Sequence, residues 1–230
     1  AVDASAVDPV GCDVLGIAFP VHASFAPTPM QTFLDGLADG QGVPLFIVTT
    51  AGYAAGDTAW YAAQPLRKRG YEPLVLANVN VANNLWLPVL SPIPIPTDAA
   101  LARKLARAAE KVVRLAQWIH DQERHIEGAG PAGRLLGVTQ RAAVRPFEAL
   151  AFPGFSADET CVQCGWCVDH CPVSNIDMTA DGVTFGEDCI LCMRCYHFCP
   201  KQAIQCTDRT RNVRRFPRYP GPEGKRYSGR

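Results

Sequence analysis

The sequence predicts an α/β parallel sheet followed by a small α+β module, and three observations carry that expectation. Short apolar runs alternate with segments of helical periodicity over the first part of the chain. A long amphipathic stretch follows from about residue 98. Eight of the ten cysteines then fall into one pattern, used twice between residues 161 and 200.

DVLGIAF at 13–19, bounded by Gly11 and Pro20, suits a buried strand, and PLFIVTT at 44–50 and EPLVLANV at 72–79 repeat the type. Between the first two, Met30, Phe33, Leu34 and Leu37 recur at helical spacing. Between the second and third, TAWYAAQPLRKRG closes on three bases and a glycine, as a helix end should. Strands alternating with helices of this length imply right-handed crossovers and a parallel sheet covered on both faces. A proline-rich connection (Pro88, Pro92, Pro94, Pro96) leads to the longest helix, which Thr97 or Asp98 can cap. Its apolar stripe is Leu101, Leu105, Ala108, Val112, Leu115 and Ile119, so it is expected to pack on the sheet and to stop near Gly128. GAGPAG at 128–133 reads as a linker, and the residues to 154 as a wrap into the second module.

In that module Cys161, Cys164, Cys167 and Cys171 precede Pro172, and Cys189, Cys192, Cys195 and Cys199 precede Pro200, each member displaced by 28 residues. This is C-x-x-C-x-x-C-x-x-x-C-P in duplicate, the bacterial signature for two [4Fe-4S] clusters. Three cysteines at this spacing can turn a loop around three corners of a cubane, and the fourth corner comes from the other run. One set is therefore Cys161, Cys164, Cys167 and Cys199; the other is Cys189, Cys192, Cys195 and Cys171. The crossing ties the two halves together, and the clusters serve as the core of a module too small to bury much apolar surface. Zinc takes two ligand pairs with a longer interval between them, and disulfides suit small secreted chains. Neither accounts for a repeated third cysteine and a proline-marked fourth. MTADGVTF at 178–185 reads as a hairpin turning at Asp-Gly, with Phe155 and Ile204 in outer strands and a pseudo-twofold relation between the halves.

At 230 residues and 48% hydrophobic content the chain can hold one good-sized core and one mini-domain. The expected division is 1–127 for the sheet, 128–154 for the linker, 155–206 for the cysteine module and 207–230 for a basic tail. The zero net charge hides a contrast: seven acids against two bases over 155–206, then eight bases against two acids from 207 onward. No run of 18 apolar residues exists, and LWLPVLSPIPIP at 85–96 is broken by prolines, so no membrane span is expected. AVDASAVDPV has neither the basic nor the apolar region of a signal peptide, which points to a reducing, cytoplasmic setting. The tail interleaves Arg with Phe and Tyr, a nucleic-acid pattern. The acidic module beside it instead favours a flexible segment contacting that module or a redox partner protein.

The strand ending LGIAFPVHA, the strand FIVTTAG, the long helix and FSADETCVQCGWCVDHCPVSNIDM with GEDCILCMRCYHFCPKQAI together resemble EFR1-type flavodoxin–ferredoxin fusion proteins. The resemblance covers about residues 10–127 and the cysteine runs. It implies a flavodoxin-like sheet, a bacterial 2[4Fe-4S] ferredoxin domain, and FMN beside the clusters. A Ser/Thr-Gly phosphate loop does not precede residue 13, so the flavodoxin-like part is expected to be incomplete at its start. The loops Pro20–Pro29 and Thr49–Tyr53 leave the C-terminal ends of their strands, where ligands bind in open α/β sheets. Pro20, His22, Phe25, Thr50, Gly52 and Tyr53 are the resulting FMN candidates. The family tends to have Tyr at the position of His22 and Tyr-Gly-Gly at 50–52, and an ordinary loop and core role for these residues stays open.

Three functions follow as expectations. The leading one is an electron carrier with two clusters and a flavin; the second is a flavin-free docking or conduit subunit of a larger redox complex; the third is a flavoenzyme reducing a small substrate. His170 and His197 read as solvated or packed, Cys12 and Cys206 as small buried residues, and Trp166, Tyr196 and Phe198 as shields for the clusters.

Overall fold

The structure is a computed structural model that describes residues 4–9, 11–88, 95–96, 98–151 and 154–219. It divides into two compact units, residues 1–83 with 96–147, and residues 84–95 with 148–230.

In the first unit the three apolar runs form parallel strands β1 (Leu15–Pro20), β2 (Pro44–Ala51) and β3 (Glu72–Asn80). Leu15 stands opposite Leu45 and Pro20 opposite Thr50; Pro44 stands opposite Glu72 and Ala51 opposite Asn80, with an irregularity between Leu45 and Phe46. Successive side chains leave a strand on opposite faces. Leu45 and Ile47 therefore enter one core, and Phe46 and Val48 the other. α1 (Thr28–Gly36) and α2 (Thr58–Lys68) cover the first face, burying Leu34, Ala59, Ala63 and Leu66 with Leu15, Ile17 and Phe19. α3 (Asp98–His120) covers the second face, setting Ala108 and Leu115 against Val75, Ala77 and Val79. β2 and β3 carry core residues on both faces, which is why they read as nearly continuous apolar runs, whereas β1 leaves Gly16, Ala18 and Pro20 exposed on one face. Thr97, one of the two expected caps, lies outside the described residues.

α3 stops at His120, not near Gly128. Gln122 takes a left-handed φ of 55°, the Glu123 N–H donates to Trp118 O at 2.8 Å, and the chain returns as a fourth parallel strand, β4 (His125–Ile126), beside β3. Glu127 prolongs that pairing. Its N–H donates to Leu76 O at 2.8 Å, and its carboxylate accepts from the Asn78 N–H at 3.0 Å and from Lys111 of α3 at 2.7 Å. Burial alone would raise the Glu127 carboxyl, but the hydrogen bonds from Lys111, Asn78 and His125 outweigh it and hold the group below its usual value.

Residues 128–154, expected as linker and wrap, carry the 21-residue helix α4 (Pro131–Ala151). Proline at the first helical position gives up an N–H that would have no intrahelical partner. Gly137 lets α4 approach the loop after β2, because a Cβ there would collide with the Asp57 carboxylate. Arg141, one turn on, grips the same carboxylate in a bidentate pair, Nη1 to Oδ1 at 2.5 Å and Nη2 to Oδ2 at 3.0 Å.

The second unit contains β5 (Ser156–Ala157), α5 (Trp166–Asp169), β6 (Ile176–Thr179), β7 (Gly182–Phe185), α6 (Arg194–Phe198) and β8 (Ile204–Gln205). β5 pairs antiparallel with β8 as the outer strands, and β6 with β7 as the hairpin. Phe155 sits just ahead of β5, buried against Phe185 and Tyr196. The hairpin turns at Ala180 and Asp181, one residue earlier than expected, since Gly182 is already paired with Thr179. Leu87, from the stretch expected to be a mere connection, is fully buried among Phe155, Met193, Tyr196 and Ile204. The start of the basic tail is folded, not flexible: Asp208–Arg211 form a 3-10 turn, and Phe216 is buried against Trp86 with ring centroids 5.5 Å apart. Residues from Pro220 onward lie outside the described residues.

Candidate metal centre

The repeated spacing produces a repeated backbone. Gln163 and Leu191 have φ of 51° and 52°, Gly165 and Met193 75° and 62°, and Ser174 and Gln202 51° and 55°. Members of each pair are 28 residues apart. Five of these six residues are not glycine, and each left-handed side chain costs roughly 1–2 kcal/mol. The left-handed residues flanking Cys164 and Cys192 turn their loops tightly, and α5 and α6 then start at once, carrying Cys167 and Cys195 in their first turns. The fourth cysteines repeat as well. The Asn175 N–H donates to Cys171 Sγ at 3.2 Å, and the Ala203 N–H donates to Cys199 Sγ at 3.3 Å.

Two cavities result. Cys161, Cys164, Cys167 and Cys199 line one of about 330 Å³, open mouth included, together with Trp166, Val183 and Ile204. Cys171, Cys189, Cys192 and Cys195 line another of about 380 Å³, together with Phe155, Ile176, Phe185 and Met193. Each cavity thus joins the first three cysteines of one run to the fourth of the other. Among the described residues no three His, Cys, Asp or Glu side chains converge closely enough to hold a single metal ion. The sulfurs are spread around a shared space instead.

Burial raises the Cys167, Cys189 and Cys192 thiols above their ordinary value. It raises Cys195 further, assisted by repulsion from Cys192, Cys189, Cys167 and Cys171. Thiolates crowded into an apolar lining need cationic charge among them, which iron supplies. Sulfur ligands, an apolar wall and N–H donors to sulfur form a donor set that fits a cubane iron–sulfur cluster.

The neighbouring residues sort themselves. Trp166 stacks on His170 at 4.2 Å and stands 6.2 Å from Phe198. His197 is a packed residue: Nδ1 accepts the Tyr219 N–H at 3.0 Å, so Nε2 carries the proton and donates to Asn84 O at 2.6 Å. Burial lowers its imidazole to about 4, leaving it neutral at pH 7. Cys206 is buried, and burial with the nearby Cys189 raises its thiol to about 11. Cys12, expected to be buried, is exposed in a turn where its thiol donates to Asp8 O at 3.4 Å.

The six flavin candidates stand in different settings. Pro20 and Thr50 are exposed neighbours at the C-terminal edge of β1 and β2, and Tyr53 is 40% exposed with Lys104 Nζ 5.4 Å from its ring centre. Gly52 packs against Asn83, and its carbonyl accepts from Lys104 at 3.2 Å. His22 and Phe25 exchange backbone hydrogen bonds of 2.9 and 2.7 Å, and burial lowers the His22 imidazole. The Phe25 ring meets Tyr61 edge-on at 5.8 Å, with the Arg141 guanidinium 5.9 Å away. Ser24, buried beside it, donates to Gln140 of α4 and to Ala55 O. The loops after β1 and β2 are thus fastened to α4. The residues present offer an exposed edge of Pro20, Thr50 and Tyr53, while Phe25 is already engaged within the chain.

A ferredoxin-like module that arranges eight cysteines around two cavities has the construction of a redox-metal protein. Residues 158–177 match the family of 4Fe-4S binding domains, a span that contains Cys161, Cys164, Cys167 and Cys171 and ends before the second run. No curated protein matches the chain. The match supports cluster binding and iron–sulfur electron transfer. Among the described residues, no helix is long and apolar enough to cross a membrane.

Sequence reading missed Leu87, Phe216 and Arg218 as parts of this module. The tail's alternation of Phe216, Arg218 and Tyr219 was the available signal, since aromatic and Arg side chains together can cover apolar surface.

Proposed function

We propose that the chain is an electron-transfer protein in which two [4Fe-4S] clusters are held by Cys161, Cys164, Cys167 and Cys199, and by Cys171, Cys189, Cys192 and Cys195. The sorting of eight cysteines into two four-cysteine cavities carries this reading. A [4Fe-4S] cluster supplies one-electron transfer. The chain's own residues hold iron through thiolates, direct the Asn175 and Ala203 N–H groups at sulfur, and keep water away with Phe155, Phe185 and Trp166. No side chain is required as nucleophile or general base. Cys164 is exposed, beside Val162 at 55% exposure, so this edge is the proposed point of exchange with a redox partner protein. The seven acids of the module favour a partner with a basic surface, in a reducing compartment such as the cytoplasm.

Two readings of the α/β unit each rest on an observation. The exposed edge of Pro20, Thr50 and Tyr53 favours FMN in the α/β unit. The fastening of Phe25, Ser24 and Asp57 to α4 favours a flavin-free docking part of a larger redox complex, and this reading uses more of the geometry. Iron and flavin counted on one anaerobic preparation separate them. About eight irons with one FMN supports the first, about eight with no flavin after incubation supports the second, and about four irons overturns the two-cluster reading.

A further inference from the structure

We propose that Arg218 sets the reduction potential of one centre, the one bounded by Cys171, Cys189, Cys192 and Cys195, by holding a positive charge behind Tyr196. The inference rests on the two-cluster reading above.

The tail brings this residue back onto the module. Its guanidinium lies 3.5 Å from the centre of the Tyr196 ring, and Nη2 donates to Gln202 O at 3.2 Å, Ile204 O at 3.0 Å and Gln205 Oε1 at 3.1 Å. Those bonds fix the cation in place. Tyr196 is fully buried, follows Cys195 in α6, and packs 5.9 Å from Phe155, which stands in the wall of the second cavity. The guanidinium thus lies against the ring that follows Cys195 in the chain and that backs onto the cavity wall at Phe155.

The charge is poorly compensated. Nε and Nη1 of Arg218 are buried with no hydrogen-bond partner among the described residues. Burial lowers the guanidinium to about 10, so it remains cationic at neutral pH, and Asp158 and Cys195 are the anionic groups within electrostatic reach. Asp158 is engaged by Gln205 Nε2 at 2.8 Å, and the neighbouring His197 is neutral. A buried cation with only one of its three nitrogens hydrogen-bonded is costly to keep, and its field acts through a medium of low dielectric.

The arrangement breaks the 28-residue symmetry. Val168 occupies the position in the first run that Tyr196 occupies in the second. The Arg218 contacts fall on α6 and on the residues from Gln202 to Gln205, of which Ile204 lines the first cavity, but the cysteine within its electrostatic reach is Cys195 of the second. Reduction of either centre adds one electron from the reductant, breaks no bond and adds one negative charge. A fixed cation beside one centre stabilises its reduced form and raises its potential above that of its twin. The folded tail would then set the potential of one centre apart from that of the other.

The test is a mediator-controlled reductive titration of the holoprotein, followed by electron paramagnetic resonance, on wild type, Arg218→Lys and Arg218→Gln with iron counted in each. The expected result is that Arg218→Gln moves one midpoint potential to a more negative value and leaves the other in place, while Arg218→Lys stays close to wild type. Should Arg218→Gln fail to retain iron, Arg218→Met keeps an apolar stem over Tyr196 without the charge and gives the same reading. Unmoved potentials with full iron, equal movement of both centres, or an Arg218→Lys shift as large as that of the neutral variant would each overturn the proposal. Failure of the two-cluster reading shows separately, as a low iron count in wild type.

Discussion

Gln163 and Leu191, 28 residues apart, hold the same left-handed backbone at φ 51° and 52°. Each immediately precedes the second cysteine of its run, so the repeat is one of backbone conformation as well as of sequence. A conformation unfavourable to both side chains and used twice is best explained by the sulfur geometry that it secures.

Gln163 is exposed, which makes it the cleaner site for testing that strain. Gln163→Val places a β-branched side chain in the left-handed region and should destabilise the holoprotein by about 1–2 kcal/mol. Gln163→Gly removes the steric conflict and should lie within about 1 kcal/mol of wild type, because glycine loses more chain entropy on folding. Anaerobic thermal melts compare the two; equal losses would show that the left-handed turn is not what matters.

Arg141 and Asp57 make the tightest ion pair of the α/β unit among the described residues, with side-chain exposures of 11% and 2%. Arg141→Ala should cost about 3–5 kcal/mol, because it leaves a buried carboxylate without its partner. Asp57→Ala combined with Arg141→Ala should cost less than the single Arg141→Ala change. Denaturant unfolding followed by circular dichroism checks the order. A double variant worse than the single one would mean that the pair contributes net stability and does not merely satisfy a buried charge.

Glu127 ties β3, β4 and α3 together and titrates below its ordinary value in the folded state. For a depressed carboxyl, the unfolded chain binds the proton first as pH falls. The stability it contributes is therefore present above the unfolded pKa and lost as pH drops through the folded one. Glu127→Gln should flatten that acid limb and reduce hydrogen-exchange protection of the Asn78 amide at pH 7. An unchanged slope below pH 5 would remove Glu127 from the account of acid stability.

The cysteine sets were legible because ligand spacing is written in the chain: a 28-residue displacement appears in the sequence before any packing is known. The parallel sheet was legible for a similar reason, since central strands packed on both faces, as β2 and β3 are, must be largely apolar. β4 was not, because His125 and Ile126 lie within a polar stretch and become a strand through pairing with Val75 and Leu76. α4 was hidden by Gly133, Gly137 and Pro146, which lower local helix propensity. At Gly137 the reason is tertiary, the close approach of Asp57. The tail was read from its charge, but Phe216 and Arg218 fold through packing and carbonyl acceptors that no local pattern announces.

Exchange of the fourth cysteines tests the central claim most directly. Cys199→Ser and Cys171→Ser should each damage one centre, and a different one: the first the centre sharing Cys161, Cys164 and Cys167, the second the centre sharing Cys189, Cys192 and Cys195. Iron analysis with electron paramagnetic resonance of the reduced proteins should show about eight irons in wild type and one intact [4Fe-4S] signal in each variant, the two signals differing. The same residual signal in both variants, or full retention of both centres in either, would contradict the crossed assignment.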